Sequence, residues 1–303
     1  MNQNQVTIEE QGLRDGIQNI SQMLSTDQKL SFIDRLVDAG LKRIQVASFV
    51  HPKLVPQMAD AEEVCQRLNK KQDVIYSGLV LNLKGVERAV GAGLNHLSCS
   101  ISASDLHSQK NARKTLVEAR AAFSDMVSYC QANDIVTRGG IQCAFGCRYE
   151  GAVPKAHVID MVKAHLDTGI QELALADSTG MGHPIQVEEM MGEVIALAGD
   201  IPVILHLHNT ESKGYANLYA ALKAGVRLFD TAFGGLGGCP FIKSATGNIA
   251  TEDTVHMLDQ MGYETGVDKY KIGQLSSDMA LILNQKLPSH MYELLFTEDI
   301  KFT

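Results

Sequence analysis

The sequence predicts a parallel α/β fold closed into a TIM-type (β/α)8 barrel with helical decoration at its C-terminal end. Three observations carry this prediction. Eight short apolar segments alternate with eight longer segments of helical periodicity. Several helical segments stop at a glycine in the position where a helix turns left-handed: Gly40, Gly93, Gly169, Gly225 and Gly262. A unit of helix, glycine and strand recurs at Asp38-Ala39-Gly40, Gly91-Ala92-Gly93, Asp167-Thr168-Gly169 and Lys223-Ala224-Gly225. Alternation sustained eight times favours a closed barrel over an open sheet.

In chain order the strands are expected at 6–10, 43–47, 74–80, 96–101, 136–142, 172–176, 203–208 and 227–231, and the helices at 26–39, 60–70, 84–92, 110–133, 154–168, 184–198, 212–224 and 250–261. No Pro/Ser-rich linker or charge run interrupts them. Residues 1–303 are therefore expected to form one domain, with a barrel over about 5–265 and a helical extension over about 266–303. A chain of 303 residues, 45% apolar and 20% charged, can bury a core of that size.

The net charge of −8 argues against a nucleic-acid partner. It leaves room for an anionic small substrate in a local basic pocket. No apolar run reaches the length of a membrane span, and strand-like residues begin at Val6, leaving no room for a leader peptide. Cysteines stand at 65, 99, 130, 143, 147 and 239 with no C-x-x-C pair. The spacing of Cys143 and Cys147 is poor for zinc. Buried apolar roles suit Cys65, Cys99 and Cys130, and a reducing cytoplasm is the expected location.

In such a barrel the chemistry lies at the C-terminal ends of the strands. The first strand runs into Gln11-Gly12-Leu13-Arg14-Asp15-Gly16. The pair Arg14–Asp15 reads either as an ion pair in a loop or as an active pair. In the second reading Asp15 ligates a metal and Arg14 holds an anionic substrate oxygen. Strand seven ends in His206-Leu207-His208, and residues two apart on a strand share a face, so both imidazoles can chelate one ion. After strand eight, Gly234-Gly235-Leu236-Gly237-Gly238-Cys239-Pro240 reads as a mobile flap carrying a reactive thiol at Cys239, or as a phosphate cradle with an incidental cysteine. Asn248, before Glu252 and Asp253, offers a carbonyl oxygen suited to a hard cation. Asp15, His206, His208 and Asn248 form a mixed oxygen and nitrogen set with one anionic member, which suits Mg²⁺ or Mn²⁺.

The strings Arg14-Asp15-Gly16, Ser48-Phe49-Val50, Gly146-Cys147-Arg148-Tyr149-Glu150-Gly151, His206/His208, Gly234 to Pro240 and Gly247 to Asp253 resemble 3-hydroxy-3-methylglutaryl-CoA lyases along nearly all of residues 5–270. The resemblance implies that a CoA thioester of a 3-hydroxy acid is cleaved at a carbon–carbon bond. It implies that Asp15, His206, His208 and Asn248 bind the metal, that Arg14 stabilises an enolate, that Cys239 helps protonate it, and that Asp177 lines the pocket. A homodimer is implied on the same ground. The lyases usually have Glu where this chain has Gln45, Asp where it has Asn209, and an aromatic or basic residue where it has Glu211. Gln45, in the catalytic set with Arg14, Asp177, His206 and Cys239, cannot act as a general base. A citramalyl-CoA-type lyase, a condensing synthase and a non-catalytic metal-binding barrel are the alternatives.

Overall fold

A computed structural model describes residues 4–237 and 247–296. Eight parallel strands close into a barrel in sequence order: β1 (Thr7–Glu10), β2 (Arg43–Ser48), β3 (Ile75–Val80), β4 (His96–Ser102), β5 (Val136–Gln142), β6 (Glu172–Asp177), β7 (Val203–Leu207) and β8 (Leu228–Thr231). β8 pairs in parallel with β1, Glu10 opposite Thr231, which seals the cylinder. The register between β2 and β3 slips at Gln45 and Ala47, a bulge in the strand that carries Gln45.

Around the barrel lie α1 (Thr26–Asp38), α2 (Ala61–Arg67), α3 (Leu83–Gly91), α4 (Asp105–Ala112), α5 (Leu116–Ala132), α6 (Lys155–Asp167), α7 (Pro184–Ala198), α8 (Gly214–Ala224) and α9 (Thr251–Gln260). The five glycines expected to end helices all have positive φ. One helical expectation is corrected: 110–133 is two helices. Arg113 turns left-handed at φ 55° and ends α4. Thr115 then caps α5, accepting from the Glu118 N–H while Glu118 accepts from the Thr115 N–H at 2.8 Å. Among the described residues no helix is long and apolar enough to cross a membrane.

Alternation along the strands divides the side chains. Ile8, Ile44, Leu97, Leu173 and Phe229 are buried under the helices. Their neighbours Glu9, Arg43, His96, Glu172 and Asp230 point into the lumen, where barrel interiors usually hold branched apolar residues. Here they pair across it. Arg43 holds Glu9 and Glu172 at 2.7 Å each. Arg138, 1% exposed, donates to Glu9, Glu172 and Asp230. Each charge is desolvated, but each has an opposite charge in contact, the condition under which a buried ion is tolerated.

Two further helices, α10 (Lys269–Leu283) and α11 (His290–Phe296), pack on the barrel near the root of the glycine-rich segment. Ser289 N–H donates to the Gly234 carbonyl at 3.1 Å, and Ser276 donates to Glu252 at 2.7 Å. A Cβ on Gly234, at φ 66°, would lie 2.4 Å from Leu287.

Candidate metal centre and active site

β1 leads into a wide, π-type helical turn, Gly12–Gly16, where the N–H groups of Arg14, Asp15 and Gly16 all point at the Gln11 carbonyl. This turn aims Arg14 and Asp15 inward, and both are buried. The Asp15 Oδ1 accepts from Arg14 Nη1 at 2.6 Å and from Gln18 at 3.0 Å, while Oδ2 accepts from Asn248 Nδ2 at 2.8 Å. Arg14 Nη2 donates to Gln11 Oε1 at 2.7 Å, and Arg14 Nε is buried without a partner. Burial alone would raise the Asp15 carboxyl. The Arg14 guanidinium and the two histidines outweigh it and hold that carboxyl well below the usual range.

His206 on β7 and His208 just past its end turn to the same side. Their Nε2 atoms are 3.1 Å apart, and they lie 3.9 and 3.5 Å from Asp15 Oδ2. Two imidazole nitrogens at that separation need a proton or a cation between them. Asp15, His206 and His208 are the group of metal-capable side chains that converges among the described residues. Asn248 joins them because its segment pairs with the end of β7: Asn209 N–H donates to the Gly247 carbonyl and Ile249 N–H to that of Leu207. Gly247 is required there, since a Cβ would lie 2.1 Å from the backbone of Gly237. The Asn248 Nδ2 is spent on Asp15 and the Leu236 carbonyl. Its Oδ1 is buried and unpartnered, and an orphaned carbonyl oxygen beside a carboxylate and two imidazoles fits a hard divalent cation.

The other expected residues fall as follows. Asp177, at the end of β6, accepts backbone N–H groups from Met181 at 3.0 Å and Gly182 at 3.1 Å. Burial pushes its carboxyl up to about 6 against the opposing pull of His208. Gln45 is 1% exposed, and its Oε1 has no partner. Cys239 lies outside the described residues. Asn209 Oδ1 accepts from the Gly214 N–H at the start of α8, and Glu211 is held by Arg148 and by Lys213 at 2.7 Å. Of the three departures noted in the sequence, Gln45 is the one buried in the barrel without a partner for its oxygen.

The sequence reading passed over three supporting residues. Gln11 clamps Arg14. Asp230 Oδ2 lies 3.3 Å from His206 Nδ1. Glu10 ties the two loops together, accepting from Gly12 N–H at 2.6 Å, Phe233 N–H at 3.0 Å and the Thr251 hydroxyl at 2.6 Å. Desolvation pushes both Glu10 and Glu252 up to about 7. For Asp230 the available signal was its place among charged residues at inward positions of the strands, with Glu9, Arg43, Arg138 and Glu172.

The HMGL-like family model matches residues 5–279. The chain is 39% identical over 285 residues to the mitochondrial hydroxymethylglutaryl-CoA lyase of Macaca fascicularis, covering 94% of this chain and 88% of that one. It is 37% identical over 294 residues to the (R)-citramalyl-CoA lyase of Chloroflexus aurantiacus, covering 94% and 93%. Among solved structures, an HMG-CoA lyase from Acinetobacter baumannii in complex with coenzyme A and 3-methylmalate superposes with a TM-score of 0.93 at 37% identity, covering 99% of this chain and 98% of that one. The chain belongs to the HMGL-like family.

Proposed function

From that family membership and the centre just described, we propose that the chain is a carbon–carbon lyase. It splits the CoA thioester of a 3-hydroxy acid, such as 3-hydroxy-3-methylglutaryl-CoA, into acetyl-CoA and a keto acid. The observation that carries this reading is the meeting of Asp15, His206, His208 and the orphaned Asn248 oxygen beside Arg14. Those four residues would hold Mg²⁺ or Mn²⁺, which when bound supplies positive charge that polarises substrate oxygens.

The residues divide the work. A base takes the substrate hydroxyl proton, the carbon–carbon bond breaks, and its electron pair passes to the α-carbon of the thioester as an enolate. Arg14, its fork fixed by Asp15 and Gln11, holds the enolate oxygen. A proton then goes to the enolate carbon, and Cys239 is assigned that donation. Asp177, near 6, is set to hold or release a proton around neutral pH. Gln45 orients substrate through its amide and moves no proton. A citramalyl-CoA-type substrate is the second reading: Gln45 favours it, and the (R)-citramalyl-CoA lyase lies within the same range of identity, at 37%. Assembly as a homodimer in the cytoplasm completes the proposal.

The test is release of acetyl-CoA from 3-hydroxy-3-methylglutaryl-CoA and from citramalyl-CoA, with and without added Mn²⁺ or Mg²⁺. Turnover of neither substrate with either metal would refute the lyase reading. Light scattering of the purified protein tests the dimer.

A further inference from the structure

Asp230 sits mid-strand on β8 and points into the lumen, far in sequence from everything it touches. Arg138 reaches it from the opposite wall, donating from Nη1 to both carboxylate oxygens at 3.1 and 3.4 Å. On its other side Asp230 Oδ2 meets His206 Nδ1 at 3.3 Å. A carboxylate held against a guanidinium can only accept, so the shared proton belongs to His206 Nδ1. In the neutral ring Nε2 then carries the lone pair. His208 Nε2, 3.1 Å away, must be the donor of that contact. His208 Nδ1 is buried with no partner, so nothing opposes this tautomer.

We propose that Asp230 is a positioning residue that fixes His206 as the Nδ1–H tautomer and turns its Nε2 lone pair towards Asp15. The proposal rests on the reading of Asp15, His206, His208 and Asn248 as cation ligands. The two histidines are therefore unequal: His206 is set to ligate with its proton already on Nδ1, while His208 must first move its proton to Nδ1. Arg138 contributes by orienting Asp230. Replacing Asp230 with Asn should reverse the arrangement. The guanidinium claims the amide oxygen, the NH₂ faces His206 Nδ1, and the ring must carry its proton on Nε2, where it blocks a cation.

The experiment uses full-length protein freed of metal and labelled with ¹⁵N-histidine. Long-range ¹H–¹⁵N spectra of the unsubstituted protein should give His206 as Nδ1–H and His208 as Nε2–H. In Asp230→Asn the His206 signature should invert, and Mn²⁺ titrated by calorimetry should bind roughly tenfold to hundredfold more weakly, the scale of lost partners behind a ligating histidine. Arg43→Lys disturbs the same ion network without touching Asp230 or His206. It should lower Tm while leaving the His206 signature and the Mn²⁺ affinity unchanged. His206 found as Nε2–H in the unsubstituted protein overturns the proposal, and so does parental Mn²⁺ affinity in Asp230→Asn. Equal weakening in Arg43→Lys also overturns it, because the effect would then be loss of the network as a whole. If Asp230→Asn does not fold, the spectrum of the unsubstituted protein decides alone. Failure of the unsubstituted protein to bind Mn²⁺ refutes the cation reading instead, and the tautomer pattern still decides the role of Asp230.

Discussion

The two ends of the barrel lumen are both crowded with charge, and they spend it in opposite ways. At the lower end Glu9, Arg43, Arg138 and Glu172 satisfy one another across the barrel, Arg43 holding each carboxylate at 2.7 Å and Arg138 bridging the same two. At the mouth Gln11, Arg14, Gln45, His208 and Asn248 each keep a buried polar atom without a partner. An unpaired buried polar group costs about 1–3 kcal/mol, and a cluster of them persists where a ligand completes the set. Charge paired within the protein holds the cylinder, with His96 Nδ1 left unpartnered at the lower end, and the polar atoms left over together at the mouth form the candidate site. Asp230 stands between the two, paired with Arg138 below and His206 above.

The largest expected effect would separate stability from chemistry. Arg43→Met leaves Glu9 and Glu172 short of a partner in the lower network. It should cost about 3–5 kcal/mol in denaturant unfolding while Mn²⁺ affinity is kept. Loss of Mn²⁺ binding in a folded variant would mean that the two ends are not separable.

Arg14→Lys tests the converse at the mouth. It keeps the charge and loses the planar fork that Asp15 and Gln11 hold. kcat should fall by roughly 10²–10³, the cost of one lost donor to a developing oxyanion, with little change in Tm. A kcat close to that of the parent would remove Arg14 from the enolate.

Gln45→Glu sharpens the comparison within the mouth. The preference between citramalyl-CoA and 3-hydroxy-3-methylglutaryl-CoA, read as the ratio of kcat/KM values, should move towards the latter by about tenfold, or ~1.4 kcal/mol. An unchanged ratio would make Gln45 neutral and leave specificity elsewhere.

The smallest effect is a slope. Glu10 and Glu252 rise to about 7 in the fold from an ordinary 4.5. A raised carboxyl stabilises fully below its unfolded value, and that contribution is lost as pH climbs through the folded one. These two groups should therefore erode stability between pH 4.5 and 7. Glu252→Gln should flatten the decline by less than about 1.4 kcal/mol per pH unit, measured by unfolding at several pH values. An unaltered slope would mean that Glu252 does not titrate in that window.

Much of the frame was legible in the sequence because it is local. Apolar periodicity and the glycines at helix ends placed β5 at Val136–Gln142 and α7 at Pro184–Ala198 at the expected bounds. The helix break at Arg113 was missed, although Thr115 and Glu118 carry a local capping pattern. The spacing of His206 and His208 placed both rings on one side of β7, since side-chain direction alternates along any strand.

By itself, then, the sequence determined what neighbours along the chain determine: eight strands alternating with helices, and the shared face of His206 and His208. The tertiary structure alone decided which inward groups meet. Arg43 finds Glu172 across 129 positions, and Asn248 finds Asp15 across 233. Closure also turned Asn209 to the start of α8 and set Glu211 between two cations, leaving Gln45 the departure with an unpaired oxygen in the lumen. The physical reason is that an ion pair or a ligand set depends on distances of a few ångströms in space. Those distances exist only once β8 has paired with β1 and closed the cylinder around the inward side chains.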